Sequence, residues 1–160
     1  MKEHLLLFNH AFLFFGITIY TGMLWALRFF FYGSWRSMNV GNVQEHFVAP
    51  IRRATAFFTI VAPLMFVAGV VMVVSEWGKP QLWQALASLA ATSGTTFVFQ
   101  GLIRPLRDKI AEGLPDDAAL QPLLKRWMVF NDIRFVVMTI GWIAMMWYFA
   151  ARGGLVDVLR

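Results

Sequence analysis

Four stretches of the chain are almost continuously apolar, and the polar and charged residues gather between them. The stretches run over about 5–27, 54–74, 82–103 and 127–151. Each is close to the roughly 20 residues that a helix needs to cross the hydrocarbon core of a bilayer. The second and third contain no charge. The fourth is charge-free only over 135–151, which is 17 residues and near the lower limit for spanning. Its helix is therefore expected to begin earlier and to project out of the bilayer, with Pro122 in its first turn. Pro63 falls in mid-span, where neighbouring helices can satisfy the carbonyl it frees. The predicted fold is all-α: one domain, residues 1–160, built as an integral-membrane four-helix bundle of up-down topology.

The connections differ in length. Residues 28–53 contain Gly33, Ser34, Asn39, Gly41 and Asn42 and read as a loop. Residues 75–80 make a short turn. Residues 104–126 hold Gly113, Pro115, Asp116 and Asp117, an expected break between two short interfacial helices. Small residues spaced by four, Ala87 with Ala91, Ala90 with Gly94, and Thr18 with Gly22, are expected to let helices approach closely.

Composition supports lipid as the solvent. Charged residues make up 14% and hydrophobic residues 59% of the 160 residues, against about 25% and 45–50% in soluble domains. The net charge of +5 follows from topology rather than from nucleic-acid binding. Ten of the 14 Lys and Arg lie in or beside 28–53 and 104–126, and the other four are Lys2, Lys79, Arg152 and Arg160. Because Lys and Arg concentrate on the cytoplasmic side, these two loops are expected inside and both termini outside, in the inner (cytoplasmic) membrane. Trp35 and Trp127 mark one boundary, and Trp77, Trp83, Trp147 and Tyr148 the other. The absence of cysteine excludes disulfides, cysteine zinc sites, iron–sulfur ligation and thioether-linked haem. Glu3, His4, Asn9 and His10 interrupt what would be a cleavable leader, so none is expected.

Ionisable groups at membrane depth are costly and are the first functional candidates. On the outer side stands His10, with Asn9 beside it and His4 about one and a half turns away. An imidazole there can ligate haem iron or copper, or relay a proton. Met72, Met145 and Met146 at similar depth would add thioether ligands for Cu(I). The plainer alternative is a histidine hydrogen-bonded to a neighbouring helix. On the inner side, Trp127, Asn131, Arg134, Met138, Gly141 and Met145 follow alternating spacings of 4 and 3 and form one helix stripe facing the bundle. Arg28, Arg52 and Arg53 lie at the same depth, and Asp132 can pair with one of them. Together they suggest a basic pocket for a lipid headgroup, a propionate or another anion; the alternative is arginines snorkelling to the interface. His10 and Arg28 are 18 residues, or five turns, apart and are expected on one face of the first helix. Glu45 and His46 read as a solvated loop pair.

The segment from Gly22 to Tyr32, with Arg28 followed by three phenylalanines, resembles the end of the first span of the HemJ-type protoporphyrinogen oxidases. These are small haem-b membrane proteins, similar in pattern to copper-resistance D-like proteins. The resemblance implies His10 as a haem ligand and Arg28 as the family arginine. The family's lysine and histidine around the third span have no counterpart here. Separately, Trp127, Asn131 and Arg134 before the last span are similar to the anthrone-oxygenase-like four-span proteins. The leading expectation is a redox-associated, haem-b-binding membrane protein. In it His10 would hold the metal, and Arg28, Arg52, Arg53, Asn131 and Arg134 would serve the pocket. The alternatives are a non-catalytic accessory or assembly subunit of a larger membrane complex, and copper handling. The expected partners are the bilayer and an oligomer or larger complex.

Overall fold

A computed structural model describes residues 2–153 of the chain. Arg160, counted above with the outer cations, lies outside them. The described residues form helices and turns only. Four continuous helical segments, Glu3–Trp35, Gln44–Ser75, Leu82–Ala111 and Asp117–Arg152, are long and apolar enough to cross a membrane. This agrees with the predicted four-helix bundle.

The first segment comprises α1 (Lys2–Ala26), a π-helical turn (Leu27–Phe31) and α2 (Tyr32–Trp35). A second π-turn (Gln44–Val48) leads into α3 (Ala49–Ser75). Helix α4 (Leu82–Val98) passes through a third π-turn (Phe99–Ile103) into α5 (Arg104–Ala111), and α6 (Asp117–Arg152) closes the bundle. Each long helix packs on the next in chain order, and α6 returns against α1. We call the end carrying the loops after α2 and α5 the basic end.

The surface is inverted relative to a soluble bundle. Phe8, Phe30, Trp83 and Phe97 are each about three-quarters exposed. His10, Thr21, Glu76, Ser88, Thr92, Thr95, Asn131 and Arg134 are buried. Apolar side chains turned outward fit a hydrocarbon solvent, where polar groups gain by finding partners inside the protein.

The predicted α6 stripe is buried throughout: Trp127, Asn131, Arg134, Met138, Gly141 and Met145 all face the interior. It extends at the same spacing to Leu120 and Leu124 on one side and Tyr148 on the other. This 3-4 spacing is the seam of left-handed helix packing. The closest approach is at Gly141, where a Cβ would come within 2.5 Å of the Ala91 Cβ. Ala91 thus acts as the small-residue scan expected. Gly22 has nothing within 4 Å of where its Cβ would be, so the predicted Thr18–Gly22 contact does not form. Gly16 makes that approach instead, against Met65.

The loop boundaries also differ from expectation. The first segment stays helical to Trp35 and helix resumes just ahead of Gln44, so only 36–42 lies outside helix between them. Tyr32, Trp35, Phe47 and Val48 are buried there, and that burial outweighs the local glycine and serine. Helix α6 begins at Asp117, not at Pro122. Asp116 caps it by accepting a hydrogen bond from the Ala119 N–H at 2.8 Å, which satisfies one of the free donors of the first turn. The expected break at Gly113 is present, with φ +98°. The short helix ahead of it, α5, is continuous with the third long segment rather than separate.

Candidate functional site

His10 sits at the end of the bundle opposite the basic end and is 1% exposed. Its Nε2 is 3.1 Å from the Ser75 hydroxyl and its Nδ1 is 2.9 Å from the Tyr148 hydroxyl. Tyr148 in turn donates to Glu76 Oε1 at 2.9 Å. A carboxylate only accepts, so the Tyr148 proton goes to Glu76 and the phenol oxygen receives the His10 Nδ1–H. Glu76 is 1% exposed, and Arg152 and Lys79 approach its two oxygens at 3.4 and 3.6 Å. Asn9 donates to the Ala68 carbonyl at 2.9 Å. The cluster joins α1, the α3 terminus and α6 and balances the Glu76 charge with two cations, although Glu76 Oε2 accepts no hydrogen bond.

This arrangement does not fit a haem at His10. An axial ligand needs a free ring-nitrogen lone pair and room for a porphyrin. Here Tyr148 takes the Nδ1–H, and the Ser75 hydroxyl, which itself donates to the Met72 carbonyl at 2.9 Å, stands 3.1 Å from Nε2 and leaves no room on that side of a buried ring. The residues do not assemble a copper site either. Among the described residues no three His, Cys, Asp or Glu side chains come together as a metal cluster. Met72 and Met145 are fully buried while Met146 is 47% exposed, and His4 lies on an open groove with Glu76, Lys79 and Arg152. The sequence did not single out Tyr148 as the partner of His10, nor Glu76 behind it. The signal was available for Tyr148, which continues the α6 stripe three residues past Met145.

The basic end is divided into separate places. Arg28 pairs with Asp132 at 2.6 Å, as expected for one of the arginines, on a part-exposed face of the bundle. Arg28 is not in register with His10. The buried stripe of α1 runs His10, Leu13, Ile17, Tyr20, Leu24, Leu27. Its mean spacing is nearer 3.5 than 3.6 residues per turn, so after five turns the inward position is 27 rather than 28. Arg52 is exposed on a shallow groove with Arg107 and Asp108. Arg53 is exposed. The expected single basic pocket formed by all four arginines is not what the bundle builds.

Arg134 alone turns into an internal cavity. The cavity measures about 210 Å³ and lies between the first, second, third and fourth long helices. Aromatic side chains dominate its walls: Tyr20, Phe31, Trp35, Phe58, Phe99 and Trp127. Its lining runs along the first helix from Tyr20 to Trp35 and along α3 from Pro50 to Ala62. It is therefore a slot of roughly 17 Å or more along the bundle axis at 1.5 Å per residue. Exposed Phe31, His46, Pro50 and Gln100 are part of the lining, so the slot is not sealed.

Arg134 is 5% exposed and, among the described residues, has no carboxylate partner. Its Nη1 donates to Asn131 Oδ1 at 2.7 Å and its Nη2 donates to the Tyr20 hydroxyl. Its Nε, fully buried, has no acceptor. Tyr20 and Phe99 present ring faces with centroids 5.4 and 5.2 Å from it. Such cation–π contacts contribute about 0.5–2 kcal/mol each, against several kcal/mol for desolvating an unpaired ion. Phe99 and Phe58 lie five residues from Arg104 and Arg53 along their helices. The charge therefore sits about one turn, ~7 Å, deeper than that ring of interface arginines.

All three π-turns border this cavity: Leu27 and Phe31 from the first, His46 from the second, Phe99 and Gln100 from the third. One-turn π-bulges recur at functional sites, where the extra residue re-aims side chains. His46, expected to be a solvated loop residue, is exposed but also lines the slot. Its Nδ1–H donates to the Asn42 carbonyl at 3.2 Å, which leaves Nε2 without a partner. No protein family, curated protein or solved structure matches the chain.

Proposed function

We propose that this membrane protein binds a lipid-phase molecule in the slot at its basic end. The ligand has an apolar body and a polar end carrying oxygen acceptors. The observation that carries the reading is Arg134: a buried guanidinium with no carboxylate partner among the described residues, on the wall of an open, aromatic cavity. A charge held in this way is worth its desolvation when a ligand completes its surroundings. The π-turns around the slot support the same reading. The excess of Lys and Arg at this end supports placing the slot in the cytoplasmic leaflet of the inner membrane.

Redox-associated function remains part of the proposal, with its centre moved from His10 to the slot. Haem b, the group that the resemblance implies, belongs to the ligand class. Arg134 would hold a propionate, and the free Nε2 of His46 is the imidazole nitrogen bordering the slot. Bound there, haem would supply one-electron chemistry.

The test is purification in mild detergent, followed by an absorption spectrum of the oxidised and reduced protein and mass spectrometry of extracted small molecules. Wild type is expected to carry an extractable ligand that Arg134→Met loses and His10→Ala retains. A ligand retained by Arg134→Met, or a wild-type protein that carries and takes up no small molecule, would overturn the reading.

A further inference from the structure

The proposed function leaves open which oxygen acceptor the slot takes, and the hydrogen-bonding state of its lining narrows the choice. This inference rests on that reading. Both terminal nitrogens of Arg134 are already held, by Asn131 and by Tyr20. Each is held through one N–H only, so a second N–H on each and the unpartnered Nε–H remain for a ligand. The threonines of the lining have committed their protons: Thr55 donates to the Ile51 carbonyl at 2.8 Å, Thr59 to Thr55 at 2.8 Å and Thr96 to Thr92 at 2.9 Å. Asn131 donates to the Trp127 carbonyl at 3.1 Å. Tyr20 is different. Its oxygen accepts from Arg134, and its own O–H finds no acceptor among the described residues. A phenol whose oxygen is bonded to a cation is a strengthened donor. It offers one hydrogen bond at the inner end of the slot.

The Tyr20 phenol and the Trp127 indole N–H, which is buried without a partner, are neutral donors among flat walls, and they fit a neutral acceptor on a flat body. Tyr20 stacks edge-on against Phe58 with centroids 4.3 Å apart, and Phe99, Phe31, Trp35 and Trp127 complete the walls. Aromatic side chains of this kind favour a ring in offset or edge-on contact. A neutral carbonyl also avoids the dehydration that an anion would have to undergo on entering the slot. The slot is long and apolar beyond the ring position and has room for a tail.

We propose that the ligand is a quinone-type lipid. One ring carbonyl accepts from the Tyr20 O–H, the Arg134 charge strengthens that bond, and the apolar tail lies along the slot. Binding alone is inferred, with no electron transfer assigned to this chain's residues.

Trp35 and Trp127 line the slot, so their fluorescence reports a bound quinone. Full-length protein in lipid nanodiscs is titrated with decylubiquinone and, separately, with oleate. Wild type is expected to show saturable quenching by the quinone. Tyr20→Phe, which removes only the hydroxyl, is expected to weaken it at least tenfold, and Arg28→Gln is expected to leave it unchanged. Ala54→Phe, which fills the slot wall without touching the phenol, is expected to abolish saturable quenching and serves if Tyr20→Phe does not fold. Equal quinone affinity in Tyr20→Phe or Ala54→Phe overturns the quinone assignment. Oleate binding that depends on Arg134, without quinone binding, overturns the assignment and leaves the slot as a ligand site. Binding of neither overturns both.

Discussion

The two ends of the bundle treat buried polar groups in opposite ways. At the end holding His10, a tyrosine bonds to both a histidine and a glutamate, and Lys79 and Arg152 balance the glutamate's charge, though its Oε2 accepts no hydrogen bond. At the basic end, one guanidinium is buried beside an open cavity with no acid among the described residues to balance it. A hydrogen-bonded polar network whose charges are balanced specifies and locks helix positions. An unsatisfied one costs stability and is retained where a ligand completes it. Buried ionisable residues in a membrane span therefore divide into those that build the fold and those that await a ligand. Partner counting separates the two where burial does not, since His10 and Arg134 are both buried.

The comparison makes a crossed prediction: substitutions at the closed end lower stability, and substitutions at the open end lower ligand binding. The largest stability effect is expected from Tyr148→Phe. It removes a donor to a buried carboxylate and leaves the His10 Nδ1–H without an acceptor, at a cost of about 2–4 kcal/mol. Thermal unfolding in detergent would show a clear fall in Tm, and an unchanged Tm would mean that the network does not hold the helices. Arg134→Met should do the reverse. Stability stays within about 1 kcal/mol of wild type or rises, because an unpaired charge leaves the interior, while ligand retention falls at least tenfold. A large loss of stability in Arg134→Met would place this residue with the structural group and erase the contrast.

Arg28→Gln is a milder probe. The Arg28–Asp132 pair is about 40% exposed at its arginine side chain, and part-exposed pairs contribute ~0–1 kcal/mol. A small drop in Tm with full ligand retention is expected; a ligand loss matching that of Arg134→Met would reunite the arginines into one site. His46→Asn is expected to change stability least, within about 0.5 kcal/mol, as an exposed position. Its readout is the absorption spectrum of any haem-loaded protein, where a spectrum identical to wild type would remove His46 from the slot's chemistry.

The four spans, the all-α class and the inward stripe of α6 were legible in the chain because hydrophobic runs and 3-4 spacing are local properties. The candidate residues were legible one at a time, since an ionisable group within an apolar run is conspicuous wherever it ends up. Their grouping was not. Arg28, Arg52, Arg53 and Arg134 share a depth but not a direction, and direction depends on helix phase. A drift of one residue in five turns moved Arg28 away from the face of His10. Each π-turn then inserts a residue, as where the buried positions step from Leu27 to Tyr32, and no spacing rule applied to the sequence anticipates it. Glu76 was hidden for another reason: it ends a span in a short turn, and only the return of α6 brings Tyr148 and Arg152 to it.

The sequence by itself determined how many helices there are, how apolar they are and which of their residues are costly to bury, because these follow from composition and period along one chain. Tertiary structure alone decided which of those costly residues found partners. Partnership is set by contacts between residues as far apart as His10 and Tyr148 or Tyr20 and Arg134, and helix phase, π-turns and close approaches such as Gly141 on Ala91 bring them together.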